Sequence, residues 1–108
     1  MRAALFSEHG GPEVINVSET DKPEPGQGQV RIAVRAASLN HLDIWVRIGL
    51  PRLPVSLPII LGSDGSGTIV EVGANINNYY KGDDVVIQPG TFCRKCQHCI
   101  NGRENYCL

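Results

Sequence analysis

A chain of 108 residues holds one domain at most, and a hydrophobic fraction of 42% can supply its core. Ten basic residues stand against 11 acidic ones, a formal net charge of −1, so no basic surplus points to nucleic acid and no acidic block to a solvated tail. No apolar run approaches the ~20 residues of a membrane helix, and the apolar stretch from Val55 to Leu61 carries Ser56 and Pro58.

Twelve glycines and seven prolines predict short strands joined by frequent turns. Arg2 to Phe6 reads as a first strand and His9 to Pro12 as a turn. Val14 to Glu19 partly alternates and reads as a second strand. Pro23 to Gly28 is a loop. Gln29 to Ala37 alternates well, with Val30, Ile32 and Val34 on one side and Gln29, Arg31, Ala33 and Arg35 on the other, the pattern of a half-buried strand. His41 to Ile48 reads as a short helix that sets Leu42, Trp45 and Val46 on one face, with Gly49 as its stop. Asn40 suits its N-cap, and Asp43 falls at N3, where the helix dipole favours its charge. Trp45 reads as core or pocket wall, and His9 as a solvated turn residue. Gly65 to Val72 and Val85 to Gln88 are further strands. The result is a mostly β chain, a small barrel or sandwich.

The glycines at 62, 65 and 67 run G-x-x-G-x-G and lead into a strand. A dinucleotide fingerprint has the reverse order and opens a helix, so these glycines are read as turn formers and points of close backbone approach.

All four cysteines lie together at Cys93, Cys96, Cys99 and Cys107, in an irregular lobe that begins near Thr91 and includes a helical turn at Gln97 to Asn101. Gaps of two, two and seven residues let four thiolates surround one ion, and Zn²⁺ takes such a set as a closed tetrahedron. A closed shell leaves no position for substrate, so this metal would hold the loop and do no chemistry. Three alternatives stand beside it. Disulfides have three possible pairings, but the opening Met1 to Glu8 carries no long apolar segment of a secretory signal, and a cytoplasmic chain keeps thiols reduced. An iron–sulfur run also begins C-x₂-C-x₂-C, but continues with a cysteine after three residues and then proline. Ordinary thiols are the last. The spacing favours zinc.

Leu61 to Gly73 resembles the signature of the zinc-containing, medium-chain alcohol dehydrogenases, G-H-E-x-x-G-x-V-x-x-V-G. Further likenesses are the opening Met1 to Ala4, the run Ser38 to Asp43, the segment Lys81 to Val85, and the cysteine lobe. The resemblance covers essentially the whole chain. It implies a GroES-like β-barrel with short helices and a four-cysteine zinc lobe at 91–108, one N-terminal domain over 1–108. It also implies a Rossmann domain binding NAD(P), which is absent from this chain and expected downstream. Cys93, Cys96, Cys99 and Cys107 fall on the family's structural-zinc ligands. In the family a second, catalytic zinc uses a cysteine and a histidine, and the corresponding positions here are Asn40 and Ser63. Neither is a good zinc ligand, so a catalytic metal is not expected. Asn40 with Asp43 instead resembles the quinone-oxidoreductase-like branch, whose members reduce activated carbonyls or alkenes without catalytic metal and usually lack the lobe. Another reading rebuilds a metal site from His41, Asp64 and a ligand further along.

The expected catalytic residues are therefore Asn40, Ser63 and Asp64, and the expected cofactor-binding residues Asn40, His41 and Asp43, with NAD(P) and one structural Zn²⁺ as cofactors. The reaction implied is hydride transfer to or from an alcohol, carbonyl, quinone or enone. Without catalytic zinc, donors such as Asn40 or Ser63 must stabilise the developing oxyanion, which favours electron-poor substrates. Ending at Leu108, one residue past the last cysteine, the chain reads as a piece of a longer polypeptide and is expected to be inactive alone. The whole protein is expected to be cytoplasmic and a homo-oligomer, a dimer or tetramer, with a small-molecule substrate and neither nucleic acid nor membrane as partner. The alternative is an inert zinc-binding module, since the barrel also resembles a co-chaperonin subunit.

Overall fold

The computed structural model describes residues 1–51 and 54–107, so the last residue of the expected lobe lies outside the described residues. Six strands appear in chain order: β1 (Arg2–Phe6), β2 (Asn16–Glu19), β3 (Val30–Ala36), β4 (Ile59–Ile60), β5 (Gly65–Val72) and β6 (Asp84–Ile87). Two α-helices, α1 (His41–Ile48) and α2 (Gln97–Ile100), and two 3-10 turns, Pro12–Val14 and Glu104–Tyr106, complete the elements among the described residues. The strands form two antiparallel three-stranded sheets, β2-β1-β4 and β3-β5-β6. The chain is thus mostly strand with few helices, as expected. No ladder joins the two sheets among the described residues.

The second strand starts later than its pattern suggests. Pro12 presets φ for a tight turn, and the N–H groups of Val14 and Ile15 return to the carbonyls of Gly11 and Pro12 at 3.3 and 3.2 Å. That withdraws Val14 from the ladder. At the other sheet β6 starts one residue earlier than expected, because Asp84 pairs with Thr68 and accepts its hydroxyl at 2.7 Å. The short β4 was not anticipated. It exists because Ile59 and Ile60 pair with Phe6 and Leu5, a long-range contact invisible in the local sequence.

The alternation of β3 does not translate into alternate burial. Val30 and Ile32 are partly covered, whereas Val34 is 58% exposed. The register against β5 shifts between Arg31 and Ile32 and again between Val34 and Ala36, and such irregularities turn side chains out of a strict two-residue period. The glycines of β5 explain how the two strands come so close. A Cβ at Gly67 would fall on the Ala33 carbonyl, and one at Gly65 would come within 3.0 Å of the Ala36 oxygen. The close-approach reading of these glycines therefore holds.

Phe6 on β1 and Ile69 on β5 are the fully buried large side chains, at 0% and 1% exposure. This is a thin core. The accessible surface is 8436 Å², against about 5,900 Å² for a compact protein of this mass. The radius of gyration is 15.8 Å, against about 13 Å for a compact chain of this length. Much apolar surface, including Val86 and Leu39, stays uncovered. Trp45, expected in the core or a pocket wall, is half-exposed and sets its ring against the edge of His41, with centroids 4.8 Å apart. No helix among the described residues is long and apolar enough to cross a membrane.

Candidate functional site

The cysteine lobe is built by turns rather than by packing. Arg94 adopts φ +60°, which folds the Cys93–Cys96 segment back on itself, and the Cys96 N–H donates to Cys93 Sγ at 3.3 Å. The four-residue α2 ends at Ile100, and just beyond it Gly102, with φ +68°, sends its N–H to the Cys99 carbonyl at 3.2 Å while Arg103 N–H reaches that of His98 at 2.8 Å. The following 3-10 turn delivers Cys107, whose Sγ accepts the Cys93 N–H at 3.3 Å. All four sulfurs then lie within 4.8 Å of one another.

This set fits a tetrahedral ion. Four Zn–S bonds of ~2.3 Å imply S···S edges of about 3.8 Å. The Cys96–Cys99 and Cys93–Cys99 separations are 3.5 and 3.9 Å, and none of the four cysteines is in a disulfide. Backbone N–H groups aimed at sulfur favour the thiolate. Donation from Lys95, then Cys96, lowers the Cys93 thiol to about 6, while burial first and then the neighbouring Cys96 push Cys99 up to about 12. His98 faces Tyr106, ring centroids 5.8 Å apart, and is outside the cluster.

The second group surrounds the start of α1. Asn40 is extended, with φ −116° and ψ 156°, and serves as N-cap. Its N–H donates to Asp43 Oδ2 at 2.8 Å, the carboxylate half of a capping box, and Asp43 is 8% exposed. The Asn40 side chain donates from Nδ2 to Asp64 Oδ2 at 3.0 Å. Asp64 also accepts the Ser38 N–H on Oδ1 at 3.1 Å and the Ser38 hydroxyl on Oδ2 at 2.8 Å. The Asn40 amide first, and then both Ser38 donors, hold the Asp64 carboxyl below its ordinary range. Asn40, His41 and Asp43 line one cleft with Ile15, Ile44 and Leu61. Ser63 lines an adjoining small hollow with Leu42, Asp43 and Leu61. Asp64 itself lines a third cleft, with Ser38, Ser66 and Val86, so Asn40 and Asp64 are joined by their hydrogen bond but open on different clefts, and Ser63 meets the Asn40 cleft through Asp43 and Leu61. Among the described residues, the four cysteines are the one cluster of three or more metal-ligating side chains.

The family description "Alcohol dehydrogenase GroES-like domain" matches residues 26–108. The chain belongs to that family. A solved NAD-dependent alcohol dehydrogenase is 48% identical with a TM-score of 0.87, over 99% of this chain and 31% of its own. A cobalt and zinc bound thermostable alcohol dehydrogenase from Pyrobaculum aerophilum is 36% identical with a TM-score of 0.90, over 99% of this chain and 32% of its own. A quinone oxidoreductase of Pseudomonas aeruginosa is 39% identical over 79% of this chain and 26% of its own length. The chain spans about a third or less of the length of these relatives, 30% of an alcohol dehydrogenase of Schizosaccharomyces pombe among them.

Two residues of this domain do more than their sequence context suggested. Ser38 stands two positions before Asn40, and the structure brings both side chains onto Asp64; a two-residue spacing beyond a strand was the available signal. His9 was expected to be a solvated turn residue. It is exposed as expected, and its Nδ1–H also donates to the carbonyls of Val46 and Arg47 at 3.1 and 3.2 Å, while Arg47 Nη1 donates to the Gly10 oxygen at 2.7 Å. These bonds tie the last turn of α1 to the loop after β1, a pairing across 37 residues with no local signature.

Proposed function

We propose that this domain is the N-terminal part of an NAD(P)-dependent medium-chain dehydrogenase or reductase, with a structural zinc on Cys93, Cys96, Cys99 and Cys107 and a metal-free substrate pocket at Asn40, Ser63 and Asp64. The observation that carries the reading is the family match over residues 26–108 together with a lobe whose sulfurs have the spacing of a tetrahedral zinc shell. Bound zinc would crosslink the lobe, where no buried core does so. The excess surface of the chain supports the idea that further polypeptide, a Rossmann domain and later strands that complete the barrel, packs against it. Relatives of both alcohol-dehydrogenase and quinone-oxidoreductase type match.

A bound nicotinamide supplies or accepts the hydride. The domain's own part is electrostatic. As hydride reaches a carbonyl carbon or the β-carbon of an enone, negative charge gathers on the substrate oxygen and must meet donors already in position. Asn40 retains an amide N–H beyond the one given to Asp64, and Ser63 offers a hydroxyl. Neutral donors stabilise an oxyanion less than a metal ion, so quinones and enones, with low-lying acceptor orbitals, suit this pocket better than simple alcohols. His41 and Asp43, at the start of α1, are the residues assigned to the cofactor side.

The test is elemental analysis of the full-length protein, paired with NADH and NADPH oxidation against quinones, enones and simple aldehydes. One zinc per chain and preference for the electron-poor substrates are expected. Two zincs per chain with fast primary-alcohol oxidation would overturn the metal-free pocket, and a reading frame that stops after Leu108 would favour an inert zinc module.

A further inference from the structure

Asp64 is the hub of three hydrogen bonds, two from Ser38 and one from Asn40. An ionised carboxylate only accepts, so it can face only the nitrogen of the Asn40 amide and never the oxygen. The orientation of that amide is therefore set by Asp64, and Asp64 is itself fixed at both oxygens by Ser38. Nδ2 makes one hydrogen bond, which leaves the second N–H of the same planar group diverging from the first by about 120°. We propose that Ser38 is a positioning residue: acting through Asp64, it locks the Asn40 amide so that one N–H is spent on the carboxylate and the other is kept for a substrate oxygen. This deepens the functional reading above and rests on it for the substrate.

The geometry favours this over a purely structural bond. A hydroxyl that only tied the segment after β3 to the residue before β5 would be as well served by one contact. Here the Ser38 N–H and Oγ take different oxygens of Asp64, leaving the carboxylate no freedom to rotate away from Asn40. The backbone N–H of Asn40 is meanwhile held by Asp43, so the residue is constrained at main chain and side chain by two separate carboxylates.

The experiment uses the full-length protein as wild type, Ser38→Ala, Ser38→Thr and Asp64→Asn. Two readouts are taken: the ¹⁵N–¹H signals of the Asn40 side-chain amide, and steady-state kinetics with an enone or quinone. Ser38→Ala should move the carboxylate-bonded amide proton towards the position of a solvated asparagine and lower kcat about tenfold with KM little changed, because a displaced donor fails chiefly in the transition state. Ser38→Thr keeps the hydroxyl and should restore both. Asp64→Asn should shift the amide signal furthest. An unmoved amide signal in Ser38→Ala and Asp64→Asn overturns the proposal, and so does a moved signal with unchanged kcat. If the wild type reduces none of these substrates, the functional reading fails by itself, and the amide signals still decide whether Ser38 and Asp64 orient Asn40.

Discussion

Residues 1–51 and 54–87 fold around apolar contacts, with Phe6 and Ile69 fully covered, whereas residues 91–107 contain no buried side chain and converge on four sulfurs. The strand body owes its order to ladders that bring distant segments together, such as β1 with β4 and β3 with β5. The lobe has no strand, and its hydrogen bonds span few residues: Cys96 to Cys93, Gly102 to Cys99, Cys107 to Glu104. A segment this short cannot bury enough surface to offset its conformational entropy, so it needs a crosslink. The body has the opposite problem. It has ladders enough, yet too few covered side chains for its surface area.

The largest effect expected from breaking this division is in the lobe. Cys99→Ser, or strong chelation, should remove zinc from the protein and erase amide dispersion over 93–107 while leaving the β5 signals in place. NMR on the chelated sample checks this, and loss of β5 together with the lobe would mean that the two regions fold as one unit. In the metal-free lobe Cys93 should alkylate well before Cys99 at pH 7, since the first thiol sits near 6 and the second near 12. Peptide mapping after a short iodoacetamide pulse reads the order directly.

Phe6→Ala attacks the other side of the comparison. Emptying a site at 0% exposure should cost about 3–5 kcal/mol by denaturant titration, with zinc content unchanged. His9→Ala is smaller. It removes the donor that holds the Val46 and Arg47 carbonyls and should cost about 1 kcal/mol. Gly49→Ala probes the same latch from below, because a Cβ there would lie 2.8 Å from His9 Cγ at a backbone φ of +88°. A stable Gly49→Ala protein would show that the helix end is not seated on His9.

The smallest effect is a pH dependence. Asp64 is held below its ordinary carboxyl value, so its contribution to stability is complete above that value and is lost as pH falls through the lowered one. Asp64→Asn should flatten the acid limb of the stability profile in that window. An unchanged limb would mean that the Ser38 and Asn40 bonds to Asp64 carry no net stability, since the group is solvent-accessible and its bonds compete with water.

Local pattern was enough for part of this molecule. Pro12, the helix from His41 to Ile48 with Asn40 and Asp43 at its start, and the cysteine spacing are all signals carried within about a dozen residues, and helices, caps and metal loops are short-range objects. The glycines of β5 were legible as close-approach positions for the same reason. What sequence left undecided depends on partners far along the chain. β4 exists only because β1 is beside it, and Val34 faces solvent because the β3–β5 register slips twice. His9 latches a helix 37 residues away, and Ser38 reaches Asn40 only through Asp64, 26 residues on. Residue types and spacings thus determined the chemistry available to this domain, its thiolates, carboxylates and amide. Tertiary structure decided which of them meet, because strand register and long-range hydrogen bonds are fixed only when the whole chain has folded.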